Sequence, residues 1–338
     1  APNLFGLYAL GQDQFIAVGS QGTVLRAAPA PDAPDPTTSD DPPPLVFTPM
    51  DLPADLPQPG GRPADFMAVS GTGPTEIYAV SLGGGDGGDG GARQGGLLLR
   101  YDGKSWQREL PKDAKGMPAA LTSDLLGVFA YKDGAIAVGQ GGVWLRRGAT
   151  GWVVAAQALP AESLSDVYGT AGNDVFAVGG NGAAFRFDGS NWGGASPNGF
   201  TGKLAGLFGT GKAGADLYAV GLGGAVLRRS GNQLIEYGAR VDPRCGGSVV
   251  PRAFLRHGAV TPAGRPIIVG WDGVTLRLRE GPCGDAGTGL AAFNETGATQ
   301  NRLEAALALR SRRLSGDRTT VYLAGAEGVI LRAEWEEK

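Results

Sequence analysis

One strand-like element recurs seven times along the 338 residues, and its spacing constrains the fold more than any other feature of the chain. It reads two apolar residues, Ala-Val-Gly, a short Gly-rich turn, then an apolar residue and Leu-Arg. The first copy is Phe15-Ile16-Ala17-Val18-Gly19 with Val24-Leu25-Arg26. The second is Ile77-Tyr78-Ala79-Val80-Ser81 with Leu98-Leu99-Arg100, and the third Ala135-Ile136-Ala137-Val138-Gly139 with Trp144-Leu145-Arg146. Then come Val175-Phe176-Ala177-Val178-Gly179 with Ala184-Phe185-Arg186, and Leu217-Tyr218-Ala219-Val220-Gly221 with Val226-Leu227-Arg228. Two looser copies close the series: Ile267-Ile268-Val269-Gly270 with Thr275-Leu276-Arg277, and Tyr322-Leu323-Ala324-Gly325 with Ile330-Leu331-Arg332. The Arg follows the Gly by seven residues in six copies; the second copy carries twelve more, an insertion around Gly83 to Gln94.

An apolar run precedes each of these strands, as in Leu126-Gly127-Val128-Phe129 and Leu204-Ala205-Gly206-Leu207-Phe208. A turn and a fourth run follow most of the arginines, as in Tyr101-Asp102-Gly103-Lys104-Ser105-Trp106 and Gln233-Leu234-Ile235-Glu236-Tyr237. Each repeat is thus four short strands joined by tight turns. A lone four-stranded unit cannot bury both its faces, so the units must stack and close a ring. The prediction is an all-β fold, a seven-bladed β-propeller of four-stranded antiparallel blades in one domain spanning 1–338. The blades fall at about 4–52, 64–112, 124–160, 163–197, 203–240, 252–297 and 302–338. Residues 28–44, Pro-rich and holding Asp32, Asp35, Asp40 and Asp41, read as a flexible insertion between the third and fourth strands of the first blade, and 83–95 as a second one. The last copy reaches Lys338 without a clear fourth strand, and a three-stranded last blade is expected.

Composition agrees with this reading. The 59 Gly and 23 Pro recur at fixed offsets from apolar runs, as turn residues do, and not as a disordered tract. A net charge of −3 gives no electrostatic footprint for nucleic acid. No window of about 18 apolar residues offers a membrane span. The pattern begins almost at once, at Leu4, as in a processed product, and a lipid anchor upstream of Ala1 is compatible with it. Cys245 and Cys283 each sit in a Gly/Pro-containing loop, flanking one repeat, and read better as a disulfide than as buried packing residues. Two free surface thiols are the alternative. A disulfide favours an extracytoplasmic address, in the periplasm, on an outer-membrane surface or secreted.

The pattern Val-Gly-x-x-Gly-x-x-Leu-Arg-x-(Asp-Gly)-x-x-Trp, fullest at Asp102-Gly103 to Trp106 and at Asp188-Gly189 to Trp192, resembles the repeats of secreted bacterial propellers of the BNR/Asp-box class. Within that class it is similar to photosystem II stability and assembly factors and to related lipoproteins of Gram-negative bacteria. The resemblance covers essentially the whole chain. It departs from the full Asp-box in lacking the opening Ser, since Arg100 and Arg186 occupy that region. The resemblance implies the propeller fold and a non-catalytic, partner-binding role outside the cytoplasm.

Catalytic chemistry is hard to assemble from these residues. The single histidine, His257, lies in a first-strand run, where a core or channel-lining place is the default. There is no Gly-x-Ser-x-Gly elbow, and a three-histidine metal site is impossible with one His. The loop Gly83 to Gly91 has one Gly-Gly-x-Gly-x-Asp match to calcium-binding nonapeptides, but as a single copy with Gly91 where an apolar residue belongs. No enzyme activity, cofactor or metal is therefore expected. The candidates for partner binding are the repeated arginines Arg26, Arg100, Arg146, Arg186, Arg228, Arg277 and Arg332. By pseudo-symmetry they lie near one face at similar radius, as guanidinium groups that can dock carboxylates or phosphates bidentately. The competing reading has each Arg run along the next blade and pair with a local acid such as Asp166, Asp174 or Asp216. Of the six tryptophans, Trp271 follows a Gly in a turn and is the one expected at the surface, where it could stack on a sugar. The predicted function is a protein-interaction or assembly propeller, as an accessory subunit of a membrane or cell-surface complex; the alternative is a glycan-binding module or a sialidase-like glycosidase.

Overall fold

In the computed structural model the residues described are all except 36–37, 59–61, 84–93, 162, 213–215, 238–251, 283–287, 295–298, 314–315 and 336–338. Six sheets of four strands and one of three follow one another along the chain, each with its strands in sequential antiparallel order. The first strands are β1 (Leu4–Gly11), β5 (Phe66–Gly73), β9 (Leu125–Tyr131), β13 (Leu164–Ala171), β17 (Leu204–Gly209), β21 (Leu255–Val260) and β25 (Leu303–Arg313). Each of these packs on the first strand of the blades before and after it, β1 on β25 included, so the ring is closed around them. The seven-bladed propeller expected from the repeat is the fold. The last blade, β25 with β26 (Gly316–Gly325) and β27 (Ile330–Trp335), has three strands.

The repeat's residue types follow from packing between blades. The second strands are buried along their whole motif: Phe15, Ile16, Ala17 and Val18 are inaccessible, as are Val175, Phe176, Ala177 and Val178. Side chains alternate in direction along a strand. Phe15 and Ala17 accordingly pack toward the last blade and Ile16 and Val18 toward the second. The motif's Gly answers to a close approach rather than to an unusual dihedral. A Cβ built on Gly179 would collide with the carbonyl oxygen of Ser163, just ahead of β13, and Gly139 and Gly221 meet Asp124 and Lys203 in the same way. The second Gly of Val-Gly-x-x-Gly serves the turn. Asn181 and Gly182 have φ of 54° and 71°, two consecutive left-handed residues as a tight hairpin of this kind requires.

The junction between the last and first blades is built differently from the others. The Arg313 side chain is fully buried and donates from Nη1 to Asp13 Oδ2 at 3.0 Å, while Nη2 donates to Glu334. Tyr322 Oη donates to Asp13 Oδ1 at 2.9 Å, and the Phe15 and Tyr322 rings meet at a tilt of 45° with centres 4.7 Å apart. The insertion of the first blade leans onto the same junction, for Arg332 Nη1 donates to the carbonyl of Pro43 and Arg318 lies 3.9 Å from Asp40. Residues 84–93 of the second expected insertion lie outside the described residues, as do Cys245 and Cys283.

Candidate functional site

Sequential antiparallel strands give the ring two unlike faces. One carries the first-to-second and third-to-fourth strand turns, and is called the turn face here; the other carries the second-to-third turns and the links between blades, the link face. All seven arginines occupy one register position on a third strand. Arg26 is opposite Ile16, Arg100 opposite Tyr78, Arg146 opposite Ile136, Arg186 opposite Phe176, Arg228 opposite Tyr218, Arg277 opposite Ile267 and Arg332 opposite Tyr322. Cross-strand partners share a face of the sheet, so each arginine leaves its blade on the side that meets the next one. The heads bend toward the turn face, where the second strands begin.

What each head meets there depends on the residue that opens the second strand. Arg186 bonds Asp174 at 2.9 Å and Arg228 bonds Asp216 at 2.6 Å. Arg100 is 3.9 Å from Glu76. Among the described residues Arg26 meets the neutral Gln14, at 3.4 Å. In the third blade that position is Gly134, and Arg146 reaches instead the Tyr131 hydroxyl, the Gly189 carbonyl and the face of Phe187. Arg26 and Arg146 are exposed, with no carboxylate partner among the described residues. Asp174 and Asp216 are local acids as the sequence suggested; Asp166 is elsewhere, in the channel. Two arginines one residue further on, Arg147 and Arg229, point the other way and grip the preceding blade through Glu109 and Asp174.

The first strands line a central channel with a cavity of about 1100 Å³. Its wall is divided. Toward the link face, Phe5, Met67 and Leu126 form an apolar arc on the first three blades, and Ser165, Arg256 and Glu304 continue the same ring of positions on later blades. Asp166 stands where Gly6, Gly127 and Gly206 stand in other blades, and its carboxylate accepts the amide of Leu207 on the neighbouring blade at 2.7 Å. Burial pushes the Asp166 carboxyl up to about 7 against the two backbone N–H groups that favour its charge. His257 Nε2 lies 3.8 Å away, and burial, helped by Arg256, lowers its imidazole to about 4. Arg256 pairs with Glu304. His257 therefore lines the channel, next to one acid. Among the described residues no three His, Cys, Asp or Glu side chains converge as a metal site requires. Asp166 and Glu304 lie on different blades, and only ring closure brings them to one mouth.

The tryptophans divide as burial dictates. Trp106 and Trp152 are core residues, while Trp144 and Trp192 pack on one another and on Phe187. Trp271 is exposed. The Asp-Gly turns are asparagine-turn-like caps: Asp102 Oδ1 accepts the amides of Lys104 and Ser105, and Asp188 Oδ1 those of Ser190 and Asn191.

Fold and faces together define a seven-bladed β-propeller whose ring has two chemically unlike ends. Among solved structures the chain is similar to one described as YCF48 bound to D1 peptide, at a TM-score of 0.63 and 13% identity, covering 99% of this chain and 94% of that one. It is also similar to YCF48 from Cyanidioschyzon merolae, with TM-score 0.62, 16% identity and 98% and 95% coverage. The WD40 propeller domain of Doa1 matches with TM-score 0.62, 10% identity and 100% and 94% coverage. No protein-family model matches the chain, and no curated protein matches it in sequence. At these identities the likeness is one of fold.

Proposed function

We propose that this chain is a non-enzymatic interaction propeller that holds a protein partner on the turn face, using the repeat arginines as carboxylate-docking groups. One observation carries the reading. Arg26 and Arg146 occupy the same register as Arg186 and Arg228 but have no acid of their own, and their heads stand exposed. A guanidinium so placed can take a bidentate carboxylate from outside. The turn-face mouth of the channel adds Lys132 and Lys212. A structure of similar fold that carries a peptide supports the same class of role. The cysteine pair, Cys245 and Cys283, supports an extracytoplasmic setting, and an accessory place in a membrane or cell-surface complex is the biological form of the proposal.

The test compares two double variants after both are shown to fold. Arg26→Gln with Arg146→Gln removes the open heads; Arg186→Gln with Arg228→Gln removes heads already satisfied within their blades. In pull-downs from a native membrane fraction, the first variant loses the partner at an unchanged melting temperature. The second retains it and loses about 1 kcal/mol of stability, as half-exposed ion pairs do. Retention of the partner by both variants refutes the arginine face as the docking surface.

A further inference from the structure

The link face carries a second feature that neither blade packing nor the arginine register requires. The residue after the motif's Gly is Ser20, Gln140, Gly180 and Ala326 in four blades, all small or polar, and the partly buried Leu82 in the second, where Ser81 replaces the Gly. In the fifth and sixth blades it is Leu222 and Trp271, which are 56% and 38% exposed. On these adjacent blades of one face the side chain is large, apolar and exposed, whereas Leu82 is partly covered. Four blades stack without a large side chain at this position, so the repeat itself does not require one here.

Cations surround this patch. Phe254, just ahead of β21, meets Trp271 edge to face with ring centres 5.0 Å apart. Lys203 Nζ lies 5.6 Å from the centre of Phe254, and Arg256 Cζ lies 5.3 Å from it. Arg302 Cζ lies 5.5 Å from the centre of Trp271. The result is a row from the fifth blade to the seventh in which Lys203 and Arg256 flank the paired Phe254 and Trp271 rings on one side and Arg302 on the other. Arg256 is neutralised by Glu304. Lys203 and Arg302 are exposed and have no carboxylate partner among the described residues. Cation–aromatic contacts at exposed sites contribute only about 0.5–1 kcal/mol, so they orient these cations without neutralising them.

We infer that the link face of the fifth to seventh blades is a docking site for an extended acidic peptide segment of a partner protein, with one large apolar side chain seated between Leu222 and Trp271 and flanking carboxylates on Lys203 and Arg302. Charge complementarity selects an acidic segment over a basic one. The exposed Leu and Trp select a segment with an apolar anchor over a plain polyanion. This site lies on the opposite end of the ring from Arg26 and Arg146, and it stands or falls independently of the turn-face reading. A propeller with both sites holds two partners, one at each end of its channel.

The experiment is selection from a random nonamer peptide library displayed on phage. Enriched peptides carry one Leu, Phe or Trp between acidic residues. A fluorescein-labelled synthetic copy of the dominant peptide then binds the whole protein at least about 10-fold more weakly when Trp271→Ser or Leu222→Ser is introduced, as truncation of a central anchor does. Lys203→Gln with Arg302→Gln, which removes the two exposed cations and leaves both rings in place, weakens binding and flattens its salt dependence. Arg26→Gln with Arg146→Gln leaves it unchanged. The proposal is overturned if no acidic peptide is enriched, or if the Lys203/Arg302 variant binds as the wild type does. It is overturned equally if a heparin fragment binds tighter than the peptide and ignores the Leu222 and Trp271 substitutions, which would make the site a glycan surface.

Discussion

Removing Arg313 tests whether the last blade is latched to the first by side-chain chemistry. The three-stranded last blade has two junctions, one with the sixth blade and this one, which closes the chain's last blade on its first. Arg313→Met keeps the length and apolar stem but leaves Asp13 and Glu334, both buried, without their shared cation. Breaking a buried charge pair from one side costs about 3–5 kcal/mol, because the remaining charge loses its compensation and not merely a bond. Arg147→Met is the internal control. Arg147 makes a bidentate pair with Glu109 between the second and third blades but is partly solvated, so about 1 kcal/mol is expected. Urea unfolding at pH 7 gives the two stabilities. Amide exchange then locates the loss, which should fall in β1, β2 (Gln14–Gly19) and β25–β27 for Arg313→Met. A loss below about 1 kcal/mol with exchange in these strands unchanged refutes the latch, and the apolar contact of Phe15 with Tyr322 would then hold the ring.

Three further outcomes follow from the channel and the turns. Asp166 is raised to about 7, so its burial favours the folded state at low pH, and that contribution is lost as pH rises through 7. His257 is lowered to about 4, so its contribution is present above 6.5 and lost as pH falls toward 4. The two oppose each other between pH 4 and 6.5, with Arg256, Glu304 and Lys203 as the other charges at that mouth. Asp166→Asn should leave stability rising with pH across that window, and His257→Gln should leave it falling up to pH 7; thermal melts at half-unit steps read both signs, and parallel curves for the two variants would refute the assignment. Gly179→Ala should cost about 1–3 kcal/mol in urea unfolding, because the added methyl meets the Ser163 carbonyl; Gly180→Ala, with open space around it, should cost less than 1 kcal/mol.

The repeat was legible because its spacing is enforced by local chemistry. Gly179 and Gly182 must be glycine where they stand, one to admit a carbonyl and one for a left-handed turn, so they survive in the sequence as a countable motif. The buried second strands leave near-continuous apolar runs, and counting seven of them amounts to counting blades. The three-stranded last blade was legible for the same reason, as a missing run after Arg332. The arginine position was legible too, but its chemistry was not: Gln14, Gly134, Asp174 and Asp216 occupy one repeat position, and which of them faces an arginine head becomes visible only once the strands are in register.

Asp13 and Arg313 are 300 residues apart, and Asp166 and His257 sit on blades that are not sequence neighbours. No periodicity links such pairs. Sequence by itself determined what is repeated, since strands, turns and blade-to-blade packing are nearest-neighbour properties that each repeat must satisfy alone. Tertiary structure decided what is unique: the buried latch, the divided channel wall, and the cation–aromatic row from Lys203 to Arg302. Each of these exists only because closing a ring brings the residues that differ between repeats to the same radius and the same end.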